Sequence, residues 1–481
     1  SETDKTNDRM NRLFSLFCSA LVLLCTSWTF AACDKPNDGP LPEVKKEKQT
    51  VLVYMAAQNS LGNNGYRLQD STEIMNGAPY LGEGQRVLVF MDDERAPRLY
   101  EVARGYARPK LVKQWEEDLN SADPKTLTTV LNIMKEQFAS DSYGLVLWSH
   151  ADGWLPGARN YRNAHPTTSN PILTADGKVT KNTARRFRPQ SFGMDVGKGG
   201  NMARDKAALG DFPYEMNVED IAKAVQRSGL HLRFIHNDCC EMQCIEVAYA
   251  LRDVTDYVAG SPMQISAIGG FYTDMLRWGY FSPDIADLGK TYVDYYRGKG
   301  SMPYYEDFGV VFSILRTADL QAVADSMAKV LPRNLPALNA QGTPNYPNTD
   351  KIQPYGRYSS YFFYRPEFFD MSDALRNLLT AEDFAKVQKA LDRATVYKAT
   401  TKRFFTGMGA GKQYWINGGW RNTLDFNDAI YVNEANFCGV SMFIPQQRYA
   451  DNAARCPQGN LNITYRDTEW YRAAGWKAAG W

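Results

Sequence analysis

Short apolar runs alternate along the chain with amphipathic stretches, and the alternation predicts a fold class. Thr50 to Ala56, "TVLVYMA", is bounded by charge on one side and by the polar loop "AQNSLGNNG" on the other, the pattern of a buried strand. A helical stretch follows near Tyr66 to Met75, and strands are predicted at 86–91, "RVLVFM", and 98–103, "RLYEVA". Pro124 opens a helix running to about Phe138, and "YGLVLWS" at 143–149 is the next strand. After a long irregular segment, Asn217 is placed to cap a helix over "VEDIAKAVQRS", with Glu219 and Asp220 in the first turn, where the helix dipole favours acids. A strand at 230–236, a helix over "EMQCIEVAYALR" and a strand at 256–261 continue the series. Strands alternating with helices predict an α/β fold whose mostly parallel sheet is wound on both faces, with its site at the carboxyl ends of the strands.

From about residue 305 the character changes. "VVFSILRTADLQAVADSMAKVL" reads as strand then helix, and beyond Pro344 the chain is dense in Tyr, Phe and Trp. Aromatics at this density pack more often than they stack on a cofactor. The expected organisation is therefore a main domain over 49–300, with an insertion at 155–215, and an aromatic-rich C-terminal subdomain over 301–481.

Composition excludes more than it assigns. A formal net charge of +1 over 481 residues offers no basic field for nucleic acid and no acidic tail. The N-terminal part says more: residues 10–32 have a basic start, an apolar centre and small residues before Cys33, the pattern of a signal peptide. Ala31 and Ala32 before Cys33 also match a lipobox, which predicts acylation of Cys33, membrane attachment by a lipid anchor and a flexible tether over 33–48. An exported, cell-envelope protein is expected, with simple secretion as the alternative; monomer is the favoured state.

Beyond the signal peptide lie Cys33, Cys239, Cys240, Cys244, Cys438 and Cys456, so lipidation of Cys33 leaves an odd number of thiols. Cys438 and Cys456 are available for one disulfide. The other three sit in "NDCCEMQC", at a strand-to-helix corner. A helix starting near Cys239 or Cys240 would put a thiol at the positive end of the dipole and lower its pKa from about 8.5 toward neutrality. His150 ends the strand "LVLW", at the edge where a general base would stand. Cys244 reads as helix core. A zinc site from His236, Cys239, Cys240 and Cys244 is the weaker alternative, because adjacent thiols on one short turn rarely both reach one ion.

Five segments in order, "VLVYMAAQNSLG", "YGLVLWSHADGW", "NDCCEMQCIEVAYAL", "DYVAGSP" and "GVSMFIP" followed by "TEWYRAAGW", resemble the clostripain family of cysteine peptidases over roughly residues 49 to 477. That family belongs to the caspase-like clan with the gingipains, legumain and separase. The resemblance implies a caspase-like fold with Cys240 as nucleophile and His150 as general base. It implies an oxyanion hole from the N–H groups of Cys240 and Ala151. It also implies that Asp238 is an S1 acid selecting Arg, and less well Lys, in peptide or protein substrates; a carboxylate pairs bidentately with guanidinium and meets lysine only as a point charge. The plainer reading of Asp238 is an N-cap on the following helix, and the two roles are compatible.

Gln58 stands where the family often has aspartate, Ala151 and Asp152 where it is often glycine-rich, and Cys239 and Glu241 where small and aliphatic residues are usual. The ten basic residues of 155–215 resemble an activation loop cut by the enzyme itself between His150 and Cys240. No cofactor is expected: calcium dependence occurs among relatives, yet no EF-hand-like spacing is present. The competing readings are a catalytically inactive surface binding protein on the same fold, and a transpeptidase or ligase using the same acyl-enzyme.

Overall fold

Val51 to Ala56 are apolar on both faces of the strand they form because each face meets a different layer of helices. The computed structural model describes residues 47–155, 171–173, 179–181, 192–195, 197, 214–301, 309–355, 368–401, 403–405, 413–416, 419–422, 429–451 and 460–481. Cys33, the signal peptide, nearly all of the tether, most of the 155–215 insertion and Cys456 lie outside them.

Nine strands form one sheet: β1 (Gln49–Ala56), β2 (Gln85–Asp92), β3 (Arg98–Ala103), β4 (Lys110–Gln114), β5 (Ser142–Trp148), β6 (Leu232–Asp238), β7 (Thr255–Gly260), β8 (Val311–Arg316) and β9 (Thr395–Thr400). Their spatial order is β9-β8-β7-β6-β5-β1-β2-β3-β4. The five central strands, β2, β1, β5, β6 and β7, run parallel. The outer pairs β3, β4 and β8, β9 are added antiparallel.

Each central strand alternates its side chains between two cores. Leu52 and Tyr54 point into the one that holds Leu127, Val130 and Leu131 of α2 (Pro124–Gln137) and Ile221 and Val225 of α3 (Val218–Ser228). Val51, Val53 and Met55 point into the other, with Ile74 of α1 (Tyr66–Gly77) and Leu288 and Tyr292 of α5 (Ala286–Tyr296). Asn217 occupies the N-cap position of α3 but makes no side-chain cap bond. α2 begins as expected on Pro124, with Asp123 accepting the Lys125 N–H.

One expectation about the elements is corrected. The helix after β6, α4, spans Ile245–Ala250 rather than starting at Cys239 or Cys240, and its N-cap is Cys244. The intervening turn spends its backbone elsewhere: Glu241 N–H donates to Met263 O at 2.9 Å, and Gln243 N–H to Ser261 O at 3.1 Å.

β8 and β9 complete the sheet. Trp470, Trp476 and Phe443 share a core with Leu52 and α2, so residues 47–481 form one compact unit. Among the described residues no helix is long and apolar enough to cross a membrane.

Candidate active site

β5 and β6 are neighbouring parallel strands in register Trp148↔Asp238. His150 and Cys240 therefore each stand two residues past the same rung, at the carboxyl edge of the sheet, where open α/β sheets form sites. The two turns that carry them touch. Gly153 (φ +59) brings its Cα so close to the other turn that a Cβ would lie 2.8 Å from Glu241 O and 2.6 Å from the Phe368 ring. Glu241, directly after the thiol, has φ +61 and is the one non-glycine residue in the left-handed region among those described. That conformation is held by its N–H on Met263 and marks a backbone under constraint beside the sulfur.

The C-terminal aromatics hold this corner from behind. Trp154 packs edge-on against Phe443 and Tyr465, at 5.0 and 5.2 Å between centroids. Ser441 N–H donates to Gln243 O at 3.0 Å. Glu246 of α4 accepts the Phe443 N–H at 2.9 Å and the Tyr465 hydroxyl at 3.1 Å. Burial raises the Glu246 carboxyl to about 7.

His150 is partly buried, and desolvation lowers its pKa, which keeps the imidazole neutral at neutral pH. Its Nε2 lies 2.8 Å from Ser60 Oγ. Its carbonyl accepts the Gly193 N–H at 3.0 Å, and Ala151 bridges Phe192, so the returning end of the insertion lies alongside this turn.

Cys240 is partly exposed, whereas Cys239 and Cys244 are fully in the core. Its Sγ lies 3.9 Å from Ile265 O, a weak contact. Among the described residues no hydrogen bond joins His150 to Cys240. The expected fall in thiol pKa is reversed: burial first, then the carboxylates of Asp152 and Asp238, push it up to about 11 despite the Ile265 contact. The dipole argument fails because α4 begins five residues beyond Cys240.

Asp238 is neither the α4 cap, a position taken by Cys244, nor a freely exposed acid. It is 4% exposed. Its oxygens accept the Tyr272 hydroxyl at 2.7 Å, the Tyr292 hydroxyl at 3.0 Å and the Gly270 N–H at 3.2 and 3.3 Å. Desolvation raises its pKa against these donors. Asp70 and Glu73 of α1 lie near it: burial first raises each pKa, with Asp238 contributing, which favours their protonated forms, and Glu73 reaches about 7.

The zinc alternative is not assembled. His236 faces Tyr280, with Nδ1 2.9 Å from its hydroxyl, while Cys239 and Cys244 sit in the core on the opposite face of the sheet. Among the described residues no group of three or more His, Cys, Asp or Glu is arranged to hold a metal ion. Cys438 is a buried free thiol between the Ser372 N–H and Val440 O, at 3.4 and 3.3 Å.

Gln58 has a local reason to differ from aspartate. Its Nε2 donates to Asp92 at 2.9 Å and Asp118 at 2.7 Å, where a further carboxylate would meet two others. Ser60 is the residue beside the candidate site that the sequence does not single out. The only signal for Ser60 was the polar loop directly after β1, at the same carboxyl edge.

An α/β sheet carrying a thiol and an imidazole at adjoining strand ends defines the class, and comparison with known proteins names the family. The model of the clostripain family, Peptidase C11, matches residues 53–167 and 205–474, and the chain belongs to that family. It is thus a cysteine peptidase, a hydrolase acting on peptides.

The fold is similar to that of a secreted C11 cysteine protease from Bacteroides thetaiotaomicron, solved with an irreversible peptide inhibitor. The two share 22% identity at a TM-score of 0.64 over 90% of this chain and 99% of that one. An inactive zymogen C11 protease from Parabacteroides distasonis is similar at 22% identity and TM-score 0.59, over 90% and 99%. A second structure of a secreted Bacteroides thetaiotaomicron C11 protease, "iotapain", gives 21% and 0.60, over 89% and 99%. No curated protein matches the chain.

Proposed function

We propose that this protein is an exported cysteine endopeptidase in which His150 deprotonates Cys240, and that it cleaves after basic residues. The observation that carries the reading is the β5/β6 register, which brings both motifs to one edge on touching turns. A neutral imidazole can accept the thiol proton. The thiolate then attacks the scissile carbonyl, the N–H groups of Cys240 and Ala151 receive the developing oxyanion, and water releases the acyl-enzyme.

Asp238, with Asp70 and Glu73 near it, is a cluster of buried acids held toward their protonated forms, and a guanidinium or ammonium at P1 would favour ionisation of Asp238 and pair with it. In this reading the P1 guanidinium replaces a tyrosine hydroxyl on Asp238.

The high thiol pKa and the lack of a His150–Cys240 hydrogen bond favour a latent state of the uncut chain. Maturation would cut the basic segment between the two residues, and the Parabacteroides relative is itself described as an inactive zymogen. A lipid anchor at Cys33 would tether the enzyme to the envelope.

The test is hydrolysis of fluorogenic peptides with Arg, Lys or Asp at P1, by the full chain and by Cys240→Ala, before and after incubation that permits self-cleavage. Activity on Arg and Lys peptides that is absent in Cys240→Ala is expected. Equal activity in both proteins would remove Cys240 from the mechanism.

A further inference from the structure

We propose that Ser60 is a positioning residue for catalysis, holding His150 in the tautomer whose Nδ1 is the base. The inference rests on the His150–Cys240 reading above and adds a third residue to it. Ser60 Oγ lies 2.8 Å from His150 Nε2, and this is the hydrogen bond that the imidazole makes among the described residues.

A neutral imidazole carries one proton, and the partner of one nitrogen decides which nitrogen keeps the lone pair. An Nε2–H donating to Ser60 Oγ leaves Nδ1 unprotonated and available to the thiol. Ser60 is exposed, so its own hydroxyl proton is satisfied by solvent and the oxygen is free to accept.

The position of Ser60 is set by its neighbours. Asn59 donates from Nδ2 to Ala56 O at 2.8 Å, Ser149 Oγ at 3.2 Å and Met194 O at 2.8 Å, tying the loop after β1 to the residue before His150. Its Oδ1 accepts the Leu61 N–H at 3.0 Å and closes the turn across Ser60. Gly62 packs against Ala57 so tightly that a Cβ there would lie 1.8 Å from the Ala57 carbonyl oxygen. The serine is thus fixed from both sides while its hydroxyl points at the imidazole. A buried acid in this place would hold the imidazolium more strongly. A neutral hydroxyl orients the ring without raising its pKa, which suits a base lowered by burial.

The experiment uses the processed full chain with an acyl-Arg-aminomethylcoumarin substrate, and measures kcat, KM and the pH profile of kcat/KM. Ser60→Ala is expected to lower kcat about tenfold with KM little changed, a modest share of the usual general-base contribution. Ser60→Thr, which keeps the hydroxyl, should recover most of the rate. Ser60→Asp should move the acidic limb of the profile to higher pH, because a carboxylate on Nε2 stabilises the imidazolium.

Because Ser60 is exposed, melting temperatures should match the parent's, which separates positioning from folding. Unchanged kcat and pH limb in Ser60→Ala and Ser60→Asp would overturn the inference while leaving the dyad standing. Activity surviving in Cys240→Ala would instead overturn the dyad.

Discussion

Gly153 and Glu241 meet where the histidine turn crosses the cysteine turn: the Glu241 carbonyl oxygen lies 2.8 Å from where a Cβ on Gly153 would be. The contact explains a glycine three residues after His150 and links the two halves of the site mechanically. Gly153→Ala would combine that clash with a left-handed backbone at φ +59. It should cost about 3 kcal/mol and lower activity, because the turns would have to separate. Calorimetric melting together with peptide hydrolysis checks this; a melting temperature equal to the parent's would show that the turns are not in contact.

Burial sets the pH response of the Cys240 thiol. The thiol of Cys240 is raised from its ordinary value of 9.0 to about 11. The protonated form is therefore favoured by the fold, and its stabilising contribution is complete below about 9 and lost as pH rises through about 11. In the uncut chain, alkylation of Cys240 by iodoacetamide should climb steadily across this range. Cys239, Cys244 and Cys438 should stay unreacted in their cores. Intact-mass spectrometry against pH measures it, and a plateau reached near neutrality would mean that a thiolate is already stabilised.

Glu246 couples the C-terminal aromatics to α4 through the Phe443 N–H and the Tyr465 hydroxyl. Its pKa is raised from 4.5 to about 7, so the protonated form is the one the fold prefers. Stability from this group is present below about 4.5 and falls as pH rises through 7. Glu246→Gln should therefore raise the melting temperature at pH 8, by up to about 3 kcal/mol in stability, and change little at pH 4. Denaturant titrations at the two pH values would show it; a larger gain at the acidic end would contradict the sign.

A substitution at Asp238 tests the proposed P1 preference against a purely structural role. Asp238→Asn keeps the volume and one of the two acceptor oxygens that the Tyr272 and Tyr292 hydroxyls use, while removing the charge. It should reduce kcat/KM for P1-Arg peptides about 100-fold, the scale of losing a desolvated charge partner. Cleavage of peptides with a neutral P1 should be little affected. A uniform loss across both classes, with a lowered melting temperature, would assign Asp238 to the scaffold alone.

The candidates His150 and Cys240 were legible in the sequence because they lie at the ends of strongly apolar strands. β3 appears over the predicted residues, 98–103, and β5 within one residue of prediction at each end. β4 was not legible: "KLVKQ" is an edge strand with four of its five residues exposed, and it carries no buried periodicity. β9 and α5 were missed for a related reason, since their packing is decided against each other and against β8 rather than within either segment.

The sequence by itself determined the α/β alternation, the two turns and the candidates His150 and Cys240, since local apolar period and turn residues are properties of short segments. Only the tertiary structure decided how those turns are wired. The stretch 239–244 reads locally as the start of a helix. Yet Met263, Ser261 and Ser441, brought in from elsewhere in the chain, take its backbone groups and delay the helix to Ile245. The same enclosure turned an expected low thiol pKa into a high one and covered Asp238 with two tyrosines. Desolvation depends on what surrounds a group in space, and residues separated by 20 to 200 positions supply those surroundings here.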